Sequence, residues 1–198
     1  MGFPSESLIP SGGEIYCHVF ENKHTGLARN LFWSITITFE PIQYRENEVE
    51  CSMTCEWITW PIRDWRDLDG RQIDLNYGED GVESSFYTTR HDFGNHTTLS
   101  VRHRIENRFA VSMSMLVDFL GYYGGDENPA MMVHAEADVP FTGLIILPEN
   151  LFPKPITIAE VESVAADFVD LSSFRAPELR HRGFILCPRL QGFVREVS

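Results

Sequence analysis

The sequence predicts an α+β, β-rich fold: an antiparallel sheet or sandwich carrying one amphipathic helix near the C-terminus. Three observations lead there. Apolar and polar residues alternate strictly over short segments such as LFWSITITF and VECSMTCEW, and a period of two marks a strand with one buried face. Turn-forming residues, as in GEDG, interrupt these segments at short intervals. Only one stretch, TIAEVESVAADFVD, carries the three-to-four spacing of an amphipathic helix. With 43% hydrophobic and 12% aromatic residues, the 198-residue chain can bury a sizeable core. No repeat or linker divides it, so the expectation is a single domain over 1–198 with a helix at about 157–170 packed on the sheet.

The elements follow in order. Residues 31–39 set Leu31, Trp33, Ile35, Ile37 and Phe39 on one face of a strand. The next strand places Val49, Cys51, Met53, Cys55 and Trp57 inward and Glu48, Glu50, Ser52, Thr54 and Glu56 outward, and the two are expected to be antiparallel neighbours. Both cysteines of the second strand then face the core. Four residues of strand hold their Cα atoms about 13 Å apart, beyond the reach of about 7 Å for a disulfide and too far for one zinc ion. Weaker strands are expected at 73–77 and 82–89 around the turn GEDG, and 90–96 (RHDFGNH) reads as a loop.

Residues 97–119 read as a hairpin. One strand buries Leu99, Val101, His103 and Ile105; the other buries Phe109, Val111, Met113, Met115, Val117 and Phe119. Matching these faces requires opposed residue numbers with an even sum. A three-residue loop, Glu106-Asn107-Arg108, satisfies this by opposing Ile105 to Phe109 and His103 to Val111, with Asn107 or Arg108 left-handed. Residues 121–130 read as a long acidic loop. In 132–139, Val133, Ala135, Ala137 and Val139 point inward while His134, Glu136 and Asp138 point outward. The apolar run 141–147 reads as a strand covered on both faces. Thr157 and Glu160 form a capping box for the helix, whose apolar stripe is Ile158, Val161, Val164, Ala165, Phe168 and Val169. GFILC (183–187) reads as a last strand.

Charge is the most unusual property of the sequence. The net charge is −13, and residues 109–174 hold ten acids against one base, Lys154. Such a field repels nucleic acid and anionic membranes and accelerates encounter with basic partners. The four cysteines (Cys17, Cys51, Cys55, Cys187) are scattered without a CxxC pair, as expected of free thiols in a reducing compartment. MGFPSESLIP lacks the features of a signal peptide, and no apolar run approaches bilayer-spanning length. The expected location is cytoplasmic.

No GxGxxG, P-loop, GxSxG or HExxH is present, so no catalytic residues, cofactor or metal are expected. His91, Asp92 and His96 lack a third ligand at a recognisable spacing. His103 reads as a core histidine. Arg102 and Arg104, near Arg90 and Arg108, share an outer strand face in a chain too acidic for general nucleic-acid affinity. The candidate partner-binding residues are Trp60 and Trp65, beside Tyr77 and the mixed charges of 63–67, and the acids Asp118, Asp126, Glu127, Glu136 and Asp138. The expected function is a non-catalytic acidic binding or inhibitor protein with a basic protein partner, of the kind in which a bacterial immunity protein neutralises a toxin domain. Its acidic surface would run over 118–138 and 160–170. The alternative is a β-sandwich enzyme or carbohydrate-binding protein using Trp60, Trp65, His91 and nearby carboxylates.

Overall fold

A computed structural model describes residues 5–44, 46–88, 90–118 and 130–190. Two long strands, β1 (Pro10–Asn22) and β2 (Leu27–Phe39), form an antiparallel hairpin, and β2 continues to β5 (Ser52–Ile58) past a small hairpin of β3 (Ile42–Tyr44) and β4 (Asn47–Val49). After β6 (Gln72–Asn76) come β7 (Glu83–Tyr87), β8 (His91–Ile105), β9 (Arg108–Val117) and β10 (Met131–Ile146). The pairing order β1-β2-β5-β7-β8-β9-β10 returns to β1 through a parallel ladder from Ile15–Phe141 to Val19–Ile146, so seven strands close on themselves. A short hairpin of β11 (Glu178–Arg180) and β12 (Gly183–Leu186) extends β10, and β6 pairs with the middle of β8. The β-rich, mainly antiparallel architecture is the one the alternation predicts; ring closure by a parallel pair is an addition. Closure needs β10 to bend from β9 toward β1. The change of partner falls between Pro140 and Phe141, and a register shift follows at Gly143 (φ 141°), where a Cβ would lie 2.5 Å from the Leu186 carbonyl oxygen.

The inner face is one hydrophobic cluster. It takes Ile15, Cys17 and Val19 from β1, Leu31 to Phe39 at odd positions of β2, Phe109 to Val117 at odd positions of β9, and Val133, Ala135, Val139 and Phe141 from β10. The expected parities hold across these strands, with Ala137 half-buried against the same core. The four cysteines are free, as expected, and burial raises the thiol pKa of Cys51 to about 11 and of Cys55 to about 12. The apolar run 141–147 is no separate strand: it continues β10 and is paired on both edges, by β1 and β12.

Four expectations are corrected. Trp57 does not face the core. Ile35 pairs with Cys55 but Trp33 pairs with Ile58, so three residues of β5 oppose two of β2; Trp57 sits at φ 63°, its side chain turns outward, and Ile58 takes the core position. The loop after β8 has two residues, not three. Ile105 opposes Arg108 and His103 opposes Phe109, with Arg104 the extra residue and Glu106 left-handed at φ 53°. The even-sum rule survives inside the hairpin, since Val101 meets Val111, but a bulge in β8 restores it and leaves Ile105 65% exposed. Residues 91–96 are the start of β8 and not a loop. The helix α1 (Ile158–Ala166) is shorter than expected and leaves Ile158 exposed, while Val161, Val164 and Ala165 are buried. Its capping box is as predicted: the Thr157 hydroxyl accepts from the Glu160 amide, and the Glu160 carboxylate accepts from the Thr157 amide. Phe119 lies outside the described residues.

One end of the ring is closed by residues 60–68 and α1. Trp65 is fully buried there, stacked on Phe141 at 5.8 Å and edge-on to Phe109 at 6.3 Å, and its indole N–H donates to the Ser173 carbonyl at 3.0 Å. Arg63 donates to the carbonyls of Ala166, Asp167 and Val169, satisfying acceptors that the end of α1 leaves open. No helix among the described residues is long and apolar enough to cross a membrane.

Candidate functional site

The predicted partner-binding residues part company in three dimensions. Glu136 and Asp138 come together on the outer face of β10, both exposed. Asp118 follows the last residue of β9, six residues beyond Ser112, the partner of Glu136; that is about 20 Å along the strand direction. Asp126 and Glu127 lie outside the described residues. Trp60 is half-buried against the core. Trp65 is withdrawn from any surface role: parity rules do not govern an irregular segment, and this ring is the plug of the barrel end. Tyr77 is exposed, its ring tilted against that of Phe93 at 4.7 Å.

Around Glu136 and Asp138 the sheet forms a trough. Pairing register aligns Arg102, Ala110 and Asp138 in one cross-strand row, then Ser100, Ser112 and Glu136, then Thr98, Ser114 and His134. On the far side β6 adds Gln72 beside Ser100 and Asp74 beside Thr98. Strands lie about 4.8 Å apart, so the Arg102 and Asp138 backbones stand about 10 Å apart across one alanine. Small residues on the central strand leave the middle low and the rims high. The hollow over Ala110 and Ser112 measures about 600 Å³, bounded by Arg102 and Arg104 on one side and Glu136 and Asp138 on the other. A second hollow of about 450 Å³, over Gln72, Asp74 and Thr98, shares Ser100 and Ser112 with the first. The sequence reading overlooked this floor, although Ala110, Ser112 and Ser114 at alternate positions of β9 were its visible sign.

The electrostatics of the trough are mixed. Arg108 donates to the Asp138 carboxylate at 3.2 Å, and His134 bonds the Ser114 hydroxyl at 2.9 Å with Glu136 3.8 Å from its other nitrogen. His96 lies 3.2 Å from Asp74 on the second hollow's rim. Arg102 and Arg104 project into the first hollow from β8. Two of the four acids at 160–170 are employed otherwise. Glu160 is spent on the capping box and Asp170 accepts from the Ser172 amide, and these backbone bonds hold both carboxyls below their usual range.

No family model, curated protein or solved structure matches this chain. The remaining chemical candidates rest on their own geometry. His91 bonds the Ser85 hydroxyl at 3.1 Å, and the ring of His103 bonds the Glu106 carbonyl at 3.0 Å. Asp92 is buried opposite Phe86 in the β7–β8 pairing, with Arg90 at 2.8 Å; Ser84, Thr88 and Thr97 are further buried polar residues of these strands and their connection. Burial raises its pKa against the opposing pull of Arg90. Among the described residues no three His, Cys, Asp or Glu side chains converge as a metal site would require.

Proposed function

We propose that this is a non-catalytic binding protein that docks a basic protein segment along the trough of β8, β9 and β10, acting as an inhibitor of its partner. An immunity protein that neutralises a basic toxin domain is the form of this role that the composition suits best. The observation that carries the reading is the pair Glu136 and Asp138, exposed together on one rim above a floor of Ala110 and Ser112. A floor of small residues admits a chain segment between the rims, and the carboxylates supply its cationic contacts. Arg102 and Arg104 opposite them select a segment carrying acidic residues on its other side, which fixes orientation. The net charge of −13 adds long-range attraction for a basic partner.

The test is affinity purification at low salt, identification and re-expression of the captured basic protein, and measurement of its association rate against ionic strength. Glu136→Lys with Asp138→Lys is expected to slow association by tenfold or more at low salt, in line with electrostatic steering. A partner whose association ignores salt, or a charge-reversed variant that binds unchanged, overturns the reading.

A further inference from the structure

On the face formed by β1, β2 and β5, the outward side chains change character along the strands. At one end they are Thr36, Thr38, Ser52 and Thr54, as a solvated sheet face requires. At the other they are Tyr16, His18, Phe20 and Phe32, joined by Trp57 from the bulge of β5. Trp57 stands edge-on to three rings at once: His18 at 5.3 Å, Phe20 at 5.3 Å and Phe32 at 5.2 Å, with interplanar angles of 71–78°. Tyr16 adjoins His18 at 6.1 Å. Phe32 is 5% exposed at the centre, while the rings around it are partly open.

Two further observations bear on purpose. The bulge holds a bulky tryptophan in the left-handed region, a conformation such residues rarely adopt and one that glycine takes at this type of bulge. Strain retained in this way at the surface points to a role for the residue it displays. The charge is one-sided as well. Glu14 precedes Tyr16 on the same outer face, Glu56 accepts from the Tyr16 hydroxyl at 3.4 Å, and the outward positions of these paired rows contain no lysine or arginine. Ring faces are electron-rich and carboxylates negative, so the patch is complementary to a cation with flat apolar faces.

We propose that the Tyr16–Phe20–Trp57 patch is a second contact surface, one that takes an arginine side chain of a protein partner. The guanidinium lies against the ring of Phe20 where it adjoins Trp57, and its N–H fork meets Glu56 or Glu14. Tryptophan and arginine are both enriched where interfaces concentrate their affinity. The site lies across the ring from the trough and does not depend on it.

The test titrates N-acetyl-arginine amide, and separately its neutral isostere N-acetyl-citrulline amide, while following the indole N–H resonance of Trp57. The arginine compound is expected to shift that resonance saturably, with the citrulline compound on the order of tenfold weaker, the ratio expected of a desolvated cation–ring contact. Phe20→Leu, which keeps volume and leaves the bulge alone, is expected to weaken arginine binding several-fold, with the other indole resonances unmoved as evidence of an intact fold. Glu136→Lys with Asp138→Lys is expected to leave the titration unchanged, which separates this surface from the trough. Equal binding of the two compounds, or a Phe20→Leu variant that binds as tightly as the parent, overturns the proposal.

Discussion

The backbone of Trp57 offers a measurement in which two small effects are set against each other. In an ordinary strand position glycine is less stable than alanine by about 0.5–1 kcal/mol, because it loses more freedom on folding. At φ 63° alanine carries instead the left-handed penalty of an L-residue, about 1–2 kcal/mol, which glycine escapes. Trp57→Gly and Trp57→Ala both delete the ring and its contacts with His18, Phe20 and Phe32, so those losses cancel in the comparison. What remains favours glycine by about 0–1.5 kcal/mol across these ranges, roughly 0.5–1 kcal/mol for mid-range values. With a urea slope of about 2 kcal/mol per molar, the midpoint of Trp57→Gly should lie roughly 0.3–0.5 M above that of Trp57→Ala. Thr54, in regular pairing with Thr36 three residues earlier in β5, is the internal control, and there the order reverses. If alanine proves the more stable residue at position 57, the left-handed bulge is wrong, and with it the outward course of the side chain.

Trp65→Ala removes the stacked plug and leaves the Ser173 carbonyl with the Arg189 amide but without the indole donor; a loss of about 3–5 kcal/mol is expected by urea denaturation, and a loss below about 1 kcal/mol would show that the barrel end is not sealed by this ring. Ellman's reagent at mildly alkaline pH should modify Cys187 first in the folded protein and reach Cys17, Cys51 and Cys55 only in urea, because those three are buried and burial raises their thiol pKa; simultaneous labelling of all four in the native state would contradict the packing. Burial raises the Asp92 pKa in the folded chain, so ionisation there costs stability as pH rises past the carboxylate's usual range, and the cost vanishes at acid pH where folded and unfolded chains are both protonated. Asp92→Asn should therefore be the more stable protein at pH 7 and gain little at pH 3; a variant less stable at pH 7 and little changed at pH 3 would mean that the ion pair with Arg90 outweighs burial.

Much of this fold is legible in residue order. The odd positions of 31–39 and 109–117, the alternation of 132–139 and the Thr157–Glu160 box each encode their environment locally, since side-chain direction in a strand or cap follows from position alone. The outward direction of Glu136 and Asp138 came from the same rule. What escaped has a common cause. The extra residues at Trp57 and Arg104 exist only relative to a partner strand, and nothing in the letters around them marks the slip. HDFGNH looked like a loop because Asp92 and Gly94 are buried, on strands whose other buried residues include Ser84 and Thr97. Trp65 opens a single 3₁₀ turn, too short for any period to assign its side. The trough needed three strands in register before Ala110 and Ser112 could be seen as a floor.

The parallel seam between β1 and β10 sets an order on the making of this protein. Cys17 meets Gly143 from 126 positions away, whereas β1 and β2 are joined by a short turn. During synthesis the β1–β2 hairpin can zip within microseconds of emerging, but its outer edge stays bare until β10 is made. Such an edge is a template for stray pairing, and long-range ladders are the slow part of folding. The closing stitch is therefore the step at which this chain is most exposed to aggregation, and where a chaperone would have most to protect.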